Sequence, residues 1–280
     1  MIDFSQIKEK AQADGVSVTL VLKEQIHLLV LDYLFQRSAF SHLVFQGGTA
    51  IRIVYQGVRY SEDLDFVLTR KNSVFLKDLP RLLQGLPSYL DKALPFSREV
   101  ELKTQKQTPT FQRFALVVGI ENLKTKDRTN IEIANVPSYK NETVIIRNES
   151  IPVNPAIRVE TPKEILGDKF CAFGLREYVK GRDIWDIAFL LQTLNQSVNE
   201  EVKRMALRKV VDYHSNQSDF LDRFRKNLSI LEERGPAILR TEMEKFLPSA
   251  YQKLYREKYP AIAKEIWEVL NDFYGGVKRK

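Results

Sequence analysis

Cysteine is nearly absent: Cys171 is the only one in 280 residues. A lone cysteine excludes an internal disulfide and agrees with a reducing compartment. Histidine is scarce too, and His27, His42 and His214 lie far apart, so no Cys/His spacing for a structural zinc exists. Long apolar runs are missing. The best, "IHLLVLDYLF" (26–35), is interrupted by charge and falls short of the roughly 20 residues a bilayer span needs. The start, "MIDFSQIKEK", is charged early and lacks a secretory apolar stretch. No internal repeat or low-complexity segment stands out. These absences set the expectation of a soluble cytoplasmic protein with no membrane partner.

What is present fits a folded chain. Hydrophobic residues make up 44% and charged residues 28%, which is ordinary for globular proteins. The formal net charge is +7, and residues 201–280 hold 17 Lys/Arg against 12 Asp/Glu. That excess suits an anionic partner such as nucleic acid, or simply a solvated basic surface.

The hydrophobic pattern changes along the chain. Residues 18–37 have helical periodicity, and a short helix fits 49–56. "DLDFVL" (63–68) reads as a strand, and 76–94 as a helix with Pro80 and Pro87 near its turns. Strands are expected over 109–122, 128–136 and 142–148, the first two joined by the charged turn "LKTKD". From Thr161 onward nearly everything reads as helix, with breaks near Gly181, Gly235-Pro236 and Pro260. Thr161, Pro162 and Glu164 form a helix-start pattern. The expected organisation is a mixed α/β domain over 1–158 and a helical domain over 159–280, the boundary marked by Pro152, Pro155 and Pro162.

One stretch carries chemistry: "FQGGTAIRIVYQGVRYSEDLDF" (45–66). On a strand, residues i and i+2 share a face, so Asp63 and Asp65 point the same way and Leu64 and Phe66 point to the core. Two close carboxylates repel unless a cation lies between them, and their oxygens suit Mg²⁺ with substrate phosphates. Gly47 and Gly48 let backbone N–H groups at a helix start come close to a phosphate, and Thr49 adds a hydroxyl. Each piece alone also reads as a plain turn or a polar strand. The combination in this order and spacing is far more specific.

This stretch resembles the signature of the AbiEii/AbiGii toxin family, within the DNA-polymerase-β-like nucleotidyltransferases. "LVLKEQIHLLVLDYL" looks like the helix before that motif, and "TPKEILGDKFCAFGLREYVKGRDIWDI" resembles the family's second block. The similarity covers about residues 18–190. It implies an α/β (α+β) nucleotidyltransferase-type fold: a mixed sheet flanked by helices, with a helical C-terminal domain. It also implies an NTP substrate, Mg²⁺ (or Mn²⁺), and the toxin half of a toxin–antitoxin or phage-defence pair with a cognate antitoxin encoded nearby.

The same resemblance distributes roles. Asp63 and Asp65 hold metal. A third carboxylate is expected from a neighbouring strand, and Glu132 in "TNIEIANV" is the candidate, with Asn130 on its face; an exposed strand glutamate is the bland alternative. Gly47, Gly48 and Thr49 cradle the triphosphate. Ser61 serves a phosphate or a metal-bound water, and Arg59 either joins it or pairs with a nearby acid. Lys169 contacts phosphate by resemblance, or is a snorkelling lysine. Lys180 and Arg182 can meet phosphates; Asp183, counted in the catalytic set, and Asp186 fit the orienting of those cations or of Lys169. Arg182 and Asp186 are spaced to pair. Trp185 stacks on a base or is buried. The activity implied is NMP transfer to an RNA, tRNA first. NMP transfer to a protein hydroxyl, or nucleotide or RNA binding without transfer, are the alternatives. Arg223, Arg225, Lys226, Lys253, Arg256, Lys258, Lys278, Arg279 and Lys280 are candidate phosphate contacts, and Tyr251, Tyr255 and Tyr259 recur beside several of them as core or partner-facing rings.

Overall fold

A computed structural model of the chain describes residues 2–121, 125–147 and 154–278. The chain forms two compact units: Met1–Gln56 with Tyr60–Val159, and Gly57–Arg59 with Glu160–Lys280. The helical part thus also takes in three residues from far upstream, which composition does not reveal.

The first unit opens with helices α1 (Phe4–Asp14) and α2 (Val18–Phe35). Ser17 caps α2 by accepting from the Leu20 N–H. α2 is apolar nearly all round and buried nearly all round, from Leu20 to Leu34. Two of its buried polar groups are paired: Asp32 accepts from the Tyr89 hydroxyl and from Gln36, and His27 Nε2 lies 3.1 Å from the Glu62 carbonyl; the buried Gln25 Oε1 has no hydrogen-bond partner among the described residues. β1 (Leu43–Gln46), α3 (Gly47–Ile53) and β2 (Leu64–Leu68) follow. α4 (Ser73–Leu82) and α5 (Leu86–Ala93) lead to β3 (Ser97–Gln107), β4 (Phe111–Ile120), β5 (Thr125–Pro137), β6 (Asn141–Ile145) and β7 (Ala156–Glu160).

The seven strands form one mixed sheet in the order β3-β4-β5-β2-β1-β7-β6. β2 runs antiparallel to β1 and parallel to β5. One face of this centre is packed by Leu64, Phe66, Phe45, Ile131 and Ile133, all buried. On the other face Val44, Val67, Ala134 and Val136 form a smaller apolar cluster under Phe111.

The second unit is helical: α6 (Pro162–Leu175), α7 (Gly181–Gln192), α8 (Glu200–Asp212), α9 (Gln217–Phe246), α10 (Ser249–Tyr255) and α11 (Tyr259–Lys278). Thr161 caps α6, accepting from the Glu164 N–H, with Pro162 in the first turn. Gly174 lies against Phe220, where a Cβ would come within 2.2 Å of the ring. No helix of the described residues is long and apolar enough to cross a membrane.

The structure corrects several sequence expectations. The single helix over 76–94 is two, because the chain turns at Gly85, where a Cβ would sit 2.9 Å from the Tyr33 hydroxyl. No break occurs at Gly235-Pro236. α9 runs through it because its buried stripe (Leu228, Leu231, Gly235, Leu239, Met243) continues on both sides, and that packing outweighs one lost backbone bond. Pro260 falls in the first turn of α11, where proline is tolerated. Lys126 and Asp127 of the expected turn belong to β5; Leu123 and Lys124, with Asn122 and Asn148 of the expected strands, Pro152, Arg279 and Lys280, lie outside the described residues. α1, β1, β3 and β7 had no expectation.

Burial draws the His27 imidazole down to about 3, against an ordinary value near 6.5. The unfolded chain therefore binds a proton that the folded chain refuses. Stability is fully present above pH 6.5 and declines as pH falls from there towards 3. Urea midpoints measured between pH 7.5 and 4 are expected to fall more steeply in the wild type than in His27→Gln; parallel slopes would refute the assignment.

Candidate active site

The Gly-Gly turn, α3 and β2 bring the sequence motif together. Gln46 pairs in register with Asp65, and Asp65 with Glu132, so three adjacent strands present these side chains on one face. Gly47 has φ +78°, the left-handed region that favours glycine. A Cβ there would also sit 2.8 Å from Asp65 Oδ2. The turn therefore requires glycine twice over, for its backbone and for the space taken by the carboxylate. Gly48 is buried in the first turn of α3.

Asp63 immediately precedes β2. Its Oδ1 accepts from the Asn130 backbone N–H at 3.2 Å and from Asn130 Nδ2 at 2.9 Å. No hydrogen bond from the described residues reaches Oδ2. The Thr49 hydroxyl donates to the Asp63 carbonyl and lies 2.7 Å from the Ser61 hydroxyl. Thr49 is only 1% exposed, so it ties α3 to the start of β2 from inside. Glu132 lies beside Asp65 but is ion-paired to Arg113, at 2.8 Å across from β4.

The three carboxylates expected as metal ligands are thus not gathered round one point. Among the described residues no group of three His, Cys, Asp or Glu side chains is arranged for a metal. The half-exposed pair Asp63 and Asp65 nevertheless fits a divalent ion of the Mg²⁺ kind, which takes one or two carboxylates and completes its shell with water and substrate phosphates.

Of the other expected residues, all in the second unit, Arg59, Lys169 and Asp183 join a buried ionic cluster there. Arg59 makes a bidentate pair with Asp186, both contacts 2.6 Å. Lys169 Nζ lies 2.6 Å from Asp186 and 3.0 Å from Asp183, and Arg176 holds the other oxygen of Asp183 at 2.8 Å. Burial alone would discharge Lys169, but Asp186 and Asp183 more than offset it and its pKa rises. Burial likewise opposes ionised Asp183, and Lys169 and Arg176 overcome it, so its pKa falls. Lys180 is half-buried beside the Tyr178 ring; burial and Arg176 lower its pKa. Arg182 reaches Glu242 and the ring of Phe246. Trp185 is buried, 4.9 Å edge-on from Tyr255.

Two features had no sequence expectation. Asn130 positions Asp63; only its place in the alternation beside Glu132 hinted at it. Lys209, with no exposed surface, is ringed by Glu160, Glu164 and Asp168 at 2.8–3.3 Å.

A glycine turn, a short helix and paired aspartates at the head of a central strand in a mixed sheet accompany a family match that makes the protein a nucleotidyltransferase. The profile of the family described as nucleotidyl transferase AbiEii toxin, type IV toxin–antitoxin system, matches residues 29–272. The chain belongs to that family. Membership brings an NTP substrate, the divalent metal typical of the class, and an antitoxin partner. Two solved structures from Helicobacter pylori share the fold. One, provisionally assigned as a nucleotidyltransferase, is 20% identical with a TM-score of 0.52, covering 92% of this chain and 98% of its own. The other, JHP933, is 20% identical with a TM-score of 0.51, covering 94% and 98%. No curated protein matches the chain.

Two substitutions test this geometry. Gly47→Ala is expected to leave the melting temperature within a few degrees and to cut transfer of label from an α-³²P-NTP by about a hundredfold, since it displaces Asp65. Asp186→Ala strands the buried Arg59, leaves Lys169 with Asp183 alone, and is expected to cost about 3–5 kcal/mol in chemical denaturation. A stable Asp186→Ala protein would show that the cluster is not what holds α6 to α7.

Proposed function

We propose that the protein transfers an NMP from an NTP to a hydroxyl of an RNA, with tRNA the expected acceptor, using Mg²⁺ or Mn²⁺. The observation that carries this reading is the half-exposed Asp63–Asp65 pair, set beside the Gly47 turn at the head of β2. The acceptor oxygen attacks the α-phosphorus. The bond from that phosphorus to the bridging oxygen breaks, pyrophosphate leaves, and the hydroxyl proton passes to solvent.

The bound ion supplies positive charge against the phosphate oxygens. Asp63 and Asp65 hold it, and Asn130 keeps Asp63 turned so that Oδ2 is available. Glu132, now paired to Arg113, would be the third carboxylate to hold the ion, with the partly exposed guanidinium suited to a phosphate. Gly47 and Gly48 admit the triphosphate to the first turn of α3, and Ser61, beside Thr49, offers a hydroxyl to it. Phosphate roles for Lys169, Lys180 and Arg182, with Asp183 orienting Lys169, rest on the family resemblance. The basic balance of the chain, +7, favours an RNA over a neutral acceptor.

The test is incubation of the pure protein with a divalent metal, each α-³²P-NTP in turn, bulk cellular RNA and bulk cellular protein, with Asp63→Ala alongside. Label is expected in a tRNA-sized band and absent with the variant. Label confined to protein would overturn the RNA acceptor, and no label in either fraction would overturn transfer.

A further inference from the structure

α10 has no buried residue, yet it is held firmly. Gln252 Nε2 donates to the carbonyls of Glu244 and Leu247 at 3.0 and 2.7 Å, fixing the helix to the end of α9. Such a segment contributes little to the core, and its exposed side chains need another explanation. Tyr251 and Tyr255 are nearly parallel, 19° apart with centroids at 6.5 Å, and Tyr251 is 37% exposed. Lys258 lies 5.2 Å over the Tyr255 ring.

A cavity of about 350 Å³ opens beside this ladder, lined by Glu244, Ser249, Gln252, Lys253, Arg256 and Tyr259. Tyr259 is 1% exposed, and its hydroxyl has no hydrogen-bond partner among the described residues. A buried hydroxyl in that state lacks an acceptor, and an anion in the cavity supplies one. Arg256 is tied only loosely to Glu244, at 3.8 Å with both side chains exposed, so it can turn to a stronger acceptor.

We propose that α10 and the turn after it bind a single strand of the acceptor RNA. One phosphate enters the cavity against Lys253, Arg256 and the Tyr259 hydroxyl, and an adjacent base stacks on Tyr251. An exposed ring, Tyr251, backed by the partly buried Tyr255 that rests on Trp185 and flanked by cations, is what a flexible single strand uses, because every base has a flat face and every linkage a charge. An acidic peptide would meet the cations but does not set a flat group beside every charge, as a nucleic-acid strand does. This proposal rests on the RNA-acceptor reading above, and names the surface that grips that acceptor.

The test is fluorescence anisotropy of a labelled 12-nucleotide single-stranded RNA with the full chain, across a salt series. Lys253→Ala/Arg256→Ala is expected to weaken binding about tenfold and to flatten the salt slope by about one unit. Tyr251→Ala is expected to weaken it about tenfold at unchanged slope. Tyr259→Phe, which removes one oxygen, is expected to weaken it a few-fold. Lys77→Ala/Arg81→Ala, which removes the same charge from exposed positions on α4, serves as the comparison. The proposal is overturned if the α10 variants bind like the wild type, or if the α4 variant is as weak as the α10 double variant. Label transfer separates the two readings: RNA labelled with anisotropy unmoved sinks α10 alone, whereas label in protein sinks the RNA acceptor and leaves α10 to the anisotropy result.

Discussion

Asp65 is fixed by the register of three strands. It lies opposite Gln46 on one side and Glu132 on the other, and a slip of β2 by one residue would turn it into the core and bring Leu64 and Phe66 to the open face. The apolar side chains prevent that slip. Leu64, Phe66 and Leu68 are wholly buried, and behind Asp65 on its own face Val67 joins Val44, Ala134 and Val136. The carboxylate at the head of β2 is therefore held in place by hydrophobic packing further down the same strand. Gly47 follows from this constraint. Once Asp65 is fixed, the incoming turn must pass within a Cβ radius of its carboxylate, and only a residue without a side chain can do so.

The helical unit solves a different problem, that of keeping charge inside. Arg59, Lys169, Asp183, Asp186 and Arg176 compensate one another by close contact, and the net effect keeps Lys169 and Asp183 ionised despite burial. Around Lys209 the balance differs: three carboxylates face one ammonium. Burial and the neighbouring Asp168 push the Glu160 carboxyl well above its ordinary range. Ion pairs of this kind add little net stability over apolar replacements, but a wrong partner is heavily penalised, so they select one arrangement of α6, α7 and α8. Cys171, buried close by, has its thiol pushed up and is no nucleophile.

Local signals were readable from the sequence where the residues themselves impose the structure. Thr161-Pro162 starts α6, the alternation in "DLDFVL" sets the faces of β2, and "TNIEIANV" does so for β5. The signal failed where tertiary packing decides. β3 is mostly exposed, with charge on both faces, so it shows no alternation, and it exists because β4 pairs with it along its length. β7 is five residues long and gains its strand form from β1. Gly235-Pro236 reads as a break yet lies inside α9, because the stripe facing α11 does not stop there. In the site, the aspartates and glycines were legible as a spaced set. Asn130 was not, since an asparagine on a strand carries no meaning until the strand beside it is known. The partners of Arg59 and Lys209 lie 41 to 127 residues away in sequence for the same reason.

Arg59 has a consequence for how such a chain can be rebuilt. It stands only four residues before Asp63, yet it belongs to the helical unit and is sealed there by Asp186. Neither unit is therefore a continuous piece of sequence. Cutting the chain near residue 159 leaves the first fragment with an arginine lacking its counter-ion and the second with an aspartate that keeps only Lys169. A chimaera that exchanges the helical part between related chains must carry a matching carboxylate for this arginine, so the loop before β2 and the helical unit are constrained to evolve together.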